Sequence, residues 1–200
     1  MSTTELDVPR PAGRPRSIEA DRAILRAAVD LLADEGYGGV TMEGVAARAG
    51  VGKATVYRRW ASKSALVVDA ICACREHGAQ VPDTGSARQD LLLYVRAFMD
   101  HLRTSDAARV MPALVAELAR SPELATAFRD GLVQPRRARV LEVVRRGVDR
   151  GEVRAGADPE VIADAVVALL MHRFLVTGMD IDDGLPERVL EVLWRGIAAG

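Results

Sequence analysis

Apolar residues recur along most of this chain at intervals of three and four, which is the period of an amphipathic α-helix. These stripes predict helices over residues 18–35, 63–77, 87–103, 107–120, 122–131, 135–150, 159–177 and 186–198. The pairs Ser121-Pro122 and Asp158-Pro159 each place a capping residue before a proline at the first helical position. No segment alternates with the period of a strand, so the sequence predicts an all-α fold.

One stretch, TMEGVAARAGVGKATVYRRWASK, carries a more specific pattern. Thr41 is suited to cap a short helix, and Gly50 accepts the left-handed conformation that ends one. A second short helix starts near Lys53 and turns Trp60 inward. Two short helices held at an angle by a glycine turn form a helix-turn-helix, the motif that places its second helix in the DNA major groove.

The second helix of this motif has a basic outer face. No Asp or Glu occurs between Glu43 and Asp69, whereas the same span contains Arg48, Lys53, Arg58, Arg59 and Lys63. Net charge is only −1, so the whole chain is no polycation and the positive charge is local. A solvated helix face is the simpler explanation of a basic run. Its coincidence with the glycine turn favours DNA binding instead.

Extended to TMEGVAARAGVGKATVYRRWASKSAL, this stretch resembles the signature of the TetR family of bacterial transcriptional regulators nearly end to end. The resemblance is strong over residues 18–68 and general beyond them. It implies a three-helix DNA-binding domain over residues 18–64, followed by a helical ligand-binding and dimerisation domain over 65–200. It also implies that the helix over 63–77 transmits the ligand signal to the DNA-binding domain.

The resemblance also implies which residues touch DNA. Carried over by position, the contacts fall on Thr41, Lys53, Thr55, Tyr57, Arg59 and Lys63, and Arg58 joins them as an alternative base-reading residue. Glu43 stands where some relatives have a basic base-reading residue, so it either makes no contact or accepts a hydrogen bond from cytosine. Gly52 replaces the more usual serine and removes one hydroxyl from the DNA-facing surface.

The first residues, 1–17, are polar and contain three prolines, which predicts a disordered basic arm. Arg14 and Arg16 either enter an AT-rich minor groove or belong to a solvated tail. The same residues lack the apolar core of a signal peptide, and the chain has no apolar run of about eighteen residues that would span a membrane. We therefore expect no membrane partner and a cytoplasmic, nucleoid-associated protein of a bacterium.

Patterns typical of enzymes and metal sites are weak. His77, His101 and His172 fall on separate predicted helices, and no serine or glycine loop has nucleophile or phosphate-binding spacing. Cys72, Cys74 and His77 are too few and too poorly spaced for a metal site, so two reduced thiols are the better interpretation. We therefore expect no catalytic activity, no metal and no cofactor.

The predicted function is a ligand-responsive transcriptional regulator, a repressor in the usual case for the family it resembles. It would bind a near-palindromic DNA operator as a homodimer and be released by a small apolar effector. The alternative is a helical architectural protein that binds DNA without sensing a small molecule. The large helical body over residues 65–200 exceeds what dimerisation alone requires, which argues against the alternative.

Two sets of residues in that body are candidates for its two roles. An apolar cavity with a histidine as polar anchor would be lined by Phe98, His101, Met111, Phe128, Met171, His172 and Phe174, although each alone is more commonly plain core. The helix over residues 159–177 is apolar almost all round. It is either the buried centre of a monomer or part of a four-helix interface between two copies. The candidate interface residues are Val166, Leu170, Val189, Leu193 and Ile197.

Overall fold

The structure is a computed structural model that describes residues 18–73, 82–104 and 106–199. Its α-helices are α1 (Ile18–Gly39), α2 (Met42–Arg48), α3 (Lys53–Tyr57), α4 (Lys63–Ala73), α5 (Ala87–Thr104), α6 (Asp106–Leu118), α7 (Pro122–Phe128), α8 (Gln134–Asp149), α9 (Pro159–His172) and α10 (Leu185–Ile197). Two π-helical turns occur at Arg129–Val133 and Arg173–Thr177. Within the described part of the chain, extended pairing is limited to one antiparallel bridge between Val153 and Ala198. The predicted all-α fold is confirmed.

Capping side chains start several of these helices where the sequence predicts. Thr41 Oγ1 accepts a hydrogen bond from the backbone amide of Gly44 at 3.0 Å and so caps α2. Ser121 caps α7 through the amide of Leu124, and Asp158 caps α9, each with a proline in the first helical turn. These bonds satisfy amides that have no partner inside their own helix.

Glycines in the left-handed region end or interrupt the helices at the other side. Gly36 has φ 69° and breaks the regular geometry of α1, so the last residues up to Gly39 form a separate turn. Gly50 has φ 67° and makes the turn between α2 and α3. Gly178 has φ 60° and terminates the second π-helical turn, where the predicted helix over 159–177 ends. Only glycine adopts this conformation without a steric cost.

A first hydrophobic core joins the helix-turn-helix region to part of the body. Helix α6 packs against α1, while α7 and the first π-helical turn pack against α4. The fully buried members of this core include Ile24, Leu32, Val45, Val56, Leu66, Ile71, Leu114, Leu124 and Leu132. Helix α4 therefore lies between the helix-turn-helix region and the body, in contact with both.

A second core is formed by α5, α8, α9 and α10, which pack against one another. Its most deeply buried residues include Leu91, Val95, Val143, Leu170 and Leu190. Phe174, in the second π-helical turn, packs against both cores and links them. The two hydrophobic cores are therefore in contact through the Phe174 side chain.

Candidate nucleic-acid interface

Helix α3 exposes Lys53 and Tyr57 and buries Val56, as the sequence predicts. Val56 is fully buried, and Trp60, just beyond the helix, is also buried. Lys53, Tyr57 and Arg58 are exposed on the opposite side, and Thr55 is half-buried. The surface that α3 presents to solvent therefore carries two cations and a phenol.

Glu43, from the first turn of α2, lies beside two of these residues. The Tyr57 hydroxyl donates a hydrogen bond to Glu43 Oε1 at 3.1 Å. Lys53 Nζ lies 4.0 Å from the same oxygen, and the two side chains remain 67% and 47% exposed. A carboxylate, an ammonium group and a hydroxyl thus share one corner of the α2–α3 surface. The sequence does not reveal this contact, because its partners are 14 residues apart in sequence.

The environment of Glu43 favours its ionised form. A hydrogen bond from its own backbone amide has the largest effect and lowers the pKa of Glu43, with smaller contributions from the Tyr57 hydroxyl and the Lys53 charge. Donation to this carboxylate raises the pKa of Tyr57, because the hydrogen bond is lost if the phenol ionises. Both residues keep their ordinary protonation states at neutral pH, so Glu43 is an acceptor and Tyr57 a donor.

Replacing Tyr57 by phenylalanine is expected to raise the pKa of Glu43 toward its usual value without restoring it fully, because the backbone hydrogen bond remains. Folding lowers this pKa, so ionised Glu43 stabilises the fold at pH values above its pKa in the unfolded chain. That contribution is lost as the pH falls through its pKa in the folded protein. Carboxyl NMR titration of both proteins measures the change. An unchanged Glu43 pKa in Tyr57→Phe would show that the hydroxyl does not bind the carboxylate in solution.

Two contacts hold the residues just after α3 on α1 and α4, and a third contact joins α4 to α1. Arg59 forms an ion pair with Asp21 of α1. Trp60 Nε1 donates to Asp69 Oδ2 of α4 at 2.8 Å. Lys63 Nζ donates to the Tyr37 carbonyl oxygen at 3.0 Å and lies 4.1 Å from the centre of the Tyr37 ring. The orientation of α3 is therefore set from both of its neighbours.

The placement of Arg59 corrects one sequence-based expectation. Its side chain is only 14% exposed, and its guanidinium is turned toward α1 by the ion pair with Asp21. A phosphate contact requires an outward cation, and in this neighbourhood Arg58 is the exposed one. Helical periodicity does not separate these adjacent arginines, because both follow the last residue of α3.

The remaining predicted DNA-contacting residues are placed as follows. Thr41 is exposed at the start of α2, next to Glu43. Lys63 is half-buried at the start of α4. Arg14 and Arg16, with the rest of the predicted arm over 1–17, lie outside the described residues.

The residues expected to line one apolar cavity divide between the two cores. Met111 is buried in the first core and Phe128 packs against it, whereas Phe98 is buried in the second core and Met171 packs against that one. Phe174 contacts both. Of the two histidines, His101 is half-buried and His172 is exposed. The structure therefore does not bring the whole set into one cluster.

The predicted interface residues need a clearer correction. Val166, Leu170, Val189 and Ile197 are buried inside the protomer's own second core, and Leu193 is half-buried against it. The four buried residues are not available to a second copy, and Leu193 is available only in part. The apolar side chains that α9, α10 and the segment between them do expose are Val161, Leu169, Val176, Met179 and Val192. We call these five residues the exposed stripe.

Three residues of the exposed stripe line an open groove of about 430 Å³ between α9 and α10. Leu169 and Met179 line it from one side and Val192 from the other. Both helices have an inward and an outward face, as the apolar pattern requires. Both faces of α9 are apolar, however, so the pattern alone does not show which of them packs inside the protomer.

Neither metal binding nor membrane insertion finds support in the residues described. These contain no group of three or more His, Cys, Asp and Glu side chains in a metal-binding arrangement. Of the cysteine and histidine residues considered above, Cys74 and His77 lie outside the described residues. No helix in the described ranges is both long and apolar enough to cross a bilayer.

Comparison with known proteins agrees with this architecture. Residues 24–70 match the family described as "Bacterial regulatory proteins, tetR family", and residues 81–193 match "Tetracyclin repressor-like, C-terminal domain". The uncharacterized HTH-type transcriptional regulator YdeS of Bacillus subtilis is 33% identical over 187 residues, which cover 94% of each chain. The DNA-binding transcriptional repressor TetR of Mycobacteroides abscessus is 35% identical over 177 residues, covering 84% of this chain and 88% of that protein.

A solved structure gives the same result in three dimensions. The crystal structure of the TetR family transcription regulator SCO0332 is similar with a TM-score of 0.72 and 32% sequence identity, covering 89% of this chain and 98% of that one. Both parts of the chain, the helix-turn-helix and the helical body, are thus matched by one family. The chain belongs to the TetR family of bacterial DNA-binding transcriptional regulators, which are not enzymes.

Proposed function

We propose that this protein is a ligand-responsive repressor that binds a near-palindromic operator as a homodimer and releases it when a small apolar effector binds the body. The observation that carries the proposal is the exposed cationic surface of α3, which is held in place because Arg59 and Trp60, just after the helix, bind α1 and α4. A helix fixed in this way can enter the major groove in one orientation, as base reading requires. The similar protein of Mycobacteroides abscessus is named a repressor, which supports repression here.

The exposed residues suggest a division of roles on DNA. Lys53 and Thr55 lie in the first turn of α3, the end of a recognition helix that meets base edges. Thr41 and Tyr57 are exposed and are assigned to the DNA backbone, whereas Lys63 can reach a phosphate only if its ammonium group leaves the Tyr37 carbonyl oxygen. Arg58 takes the phosphate contact that its neighbour Arg59 is too buried to make. Arg14 and Arg16 of the arm extend the contact to the minor groove.

The exposed stripe supports a homodimer. Apolar side chains such as Leu169 and Val192, which line the same groove and are 38% and 69% exposed, are unfavourable in water when they are grouped. Packing α9 and α10 against the same helices of a second copy would cover the groove between them and place two α3 helices on one side of the pair. Such a twofold arrangement calls for a palindromic operator.

The packing of α4 suggests how an effector changes DNA binding. Gly131, in the first π-helical turn, approaches α4 so closely that an added Cβ atom would lie 2.7 Å from Val68 Cγ1. Cys72 Sγ donates to the Gly131 carbonyl oxygen at 3.5 Å. An effector that moves this turn would therefore move α4, and with it the contact between Trp60 and Asp69 that positions α3.

Selection from randomised duplex DNA with the purified full-length protein tests the proposal. We expect a near-palindromic motif, with half-sites about one helical turn apart. A thermal-shift screen of apolar small molecules, followed by release of the selected DNA, tests sensing. Enrichment of bent or AT-rich DNA without a motif, together with no responsive compound, would contradict the proposal and favour an architectural protein.

The correction at Arg59 gives a separate prediction. Arg59→Ala and Asp21→Ala should lower the free energy of unfolding by similar amounts, about 1–2 kcal/mol, because each removes the same largely buried pair. Arg58→Ala, the matched control, should leave the free energy of unfolding unchanged. It should reduce the slope of log binding constant against log salt concentration by about one unit, as expected for one lost phosphate contact. Urea unfolding and salt-dependent binding titrations measure both. A reduced salt dependence in Arg59→Ala with normal stability would return the phosphate contact to Arg59.

A further inference from the structure

We propose that Glu43 and Lys53 act as one unit that reads a single G·C base pair in each half-site, with Lys53 donating to the guanine and Glu43 accepting from the cytosine. This inference rests on the proposed DNA-reading function and adds the identity of the base pair. It also assigns a role to a carboxylate on a surface that would otherwise be expected to exclude acids.

The two side chains are arranged as an exposed donor and acceptor. Glu43 comes from the first turn of α2 and Lys53 from the first turn of α3, so both project at the corner where the two helices meet. Lys53 Nζ and Glu43 Oε1 are 4.0 Å apart, and the side chains are 67% and 47% exposed. The pair is close enough to act on one base pair and open enough to be reached by it.

Tyr57 makes Glu43 the fixed member of the unit. Its hydroxyl donates to Glu43 Oε1 at 3.1 Å, which leaves Oε2 and the remaining lone pairs of Oε1 for another donor. Lys53, by contrast, has a flexible four-carbon stem and one contact at the limit of an ion pair. The protein therefore offers a fixed acceptor, the Glu43 carboxylate, beside a movable donor, the Lys53 ammonium group. This suits a base pair that presents one donor and two neighbouring acceptors.

The major-groove edge of a G·C pair matches this arrangement. Guanine presents two neighbouring acceptors, O6 and N7, and cytosine presents one donor, the N4 amino group. O6 and N4 are hydrogen-bonded to each other within the pair, so they lie about 3 Å apart. Lys53 can donate to the guanine acceptors while Glu43 accepts the second hydrogen of N4, the one that points into the groove.

The other base pairs fit less well. In an A·T pair the adenine amino donor lies between two acceptors, adenine N7 and thymine O4. A carboxylate that accepts from that amino group therefore faces an acceptor on either side, and the lysine no longer finds two adjacent acceptors. Thymine also adds a methyl group to the edge, which cannot pair with either charge.

The sign of the charge gives this inference a distinctive consequence. Ionised Glu43 repels the phosphates of any DNA, so its removal should strengthen binding to non-specific DNA while it weakens discrimination at one base pair. Removal of Lys53 should weaken binding to all DNA and also lose that discrimination. Glutamine at position 43 should move the preference from cytosine toward adenine, whose N6 and N7 atoms an amide matches.

The experiment is selection from randomised duplex DNA by the full-length wild-type protein and by Glu43→Ala, Glu43→Gln and Lys53→Ala. The wild-type motif should contain one G·C pair at symmetric positions of the two half-sites. Glu43→Ala should lose the preference there and keep the others, and Glu43→Gln should select A·T at the same position. Arg58→Ala removes a proposed phosphate contact next to the same helix, so it should lower the affinity for all DNA and still select the whole motif.

Modified bases then test the contact directly. N4-methylcytosine at that position blocks the hydrogen that Glu43 accepts, so it should weaken wild-type binding by about tenfold and leave Glu43→Ala unaffected. Equal weakening of both proteins, or an unchanged motif in Glu43→Ala, would overturn the assignment. If the wild-type protein selects no motif at all, the proposed function fails instead, and a motif that lacks G·C at the position sensitive to Lys53→Ala overturns the inference alone.

Discussion

Aspartate in place of Val192 is expected to turn the proposed dimer into a folded monomer and to weaken operator binding by at least about a hundredfold. Val192 is 69% exposed on α10 and lines the groove between α9 and α10 together with Leu169. Near a twofold axis, one substitution introduces two like charges into an apolar contact. Each carboxylate would lose water, and Arg188, which lines the same groove, already pairs with Asp182.

The loss on DNA follows from valency. A dimer binds two half-sites with one association step, and linking two binding modules raises affinity by about 10²–10⁴ over either alone. A monomer loses this factor although its own α3 surface is intact. Sedimentation equilibrium and a binding titration on the selected operator measure the two effects, and circular dichroism verifies that the fold is retained.

Val192→Thr is the matched control, because threonine keeps the branched shape without a charge, and it should remain dimeric. Leu193→Asp is a second comparison. Leu193 packs against the protomer's own second core, so this variant should lose stability as well as association. Dimers of Val192→Asp that bind the operator like the wild-type protein would place the interface away from α10.

The sequence predicts the helices of this protein better than it predicts their faces. Caps and glycines are local signals, and the residues that carry them, such as Thr41, Gly50 and Asp158, do in the structure what their chemistry indicates. The interface residues were misplaced because α9 is apolar on both sides. Periodicity identifies a helix with two apolar faces but does not say which of them packs against α5 and α8.

The same limit applies to single residues of the candidate site, where sequence does not show which side chain faces inward. Arg58 and Arg59 are adjacent and equally basic, and only the ion pair with Asp21 of α1 separates their roles. Asp21 lies three residues before the fully buried Ile24 on α1, so its position on the inner side of that helix was a usable signal. The contact of Glu43 with Tyr57 had none, because it depends on the angle between α2 and α3.

Of the single substitutions considered, replacement of Asp90 is expected to lower the free energy of unfolding most. Its side chain is fully buried in the first turn of α5. Asp90 Oδ1 accepts hydrogen bonds from the Thr84 amide at 2.9 Å and the Thr84 hydroxyl at 2.7 Å. Asp90 Oδ2 forms an ion pair with Arg146 Nη2 of α8 at 3.4 Å. One carboxylate therefore ties the segment before α5 to α8, beneath the second core.

Asp90→Ala is expected to lower the free energy of unfolding by about 3–5 kcal/mol, the usual cost of removing one partner from a buried ion pair. Arg146 would remain, with a side chain only 20% exposed, and the Thr84 donors would lose their acceptor. Asp83→Ala is the matched control. Asp83 also pairs with Arg146 and with Arg150, but its side chain is 48% exposed, so its loss should cost at most about 1 kcal/mol.

A double substitution separates the ion pair from the packing around it. If the cost of Asp90→Ala comes from leaving the largely buried Arg146 charge with Asp83 as its remaining carboxylate partner, then adding Arg146→Met should recover part of the lost stability, because that cation is removed as well. Urea unfolding of the wild-type protein, Asp90→Ala, Arg146→Met and the double variant measures this. All are compared at one fixed protein concentration, since the apparent stability of an oligomer depends on concentration. Additive losses in the double variant would show that Asp90 acts through the Thr84 hydrogen bonds alone, and equal losses in Asp90→Ala and Asp83→Ala would contradict the buried role.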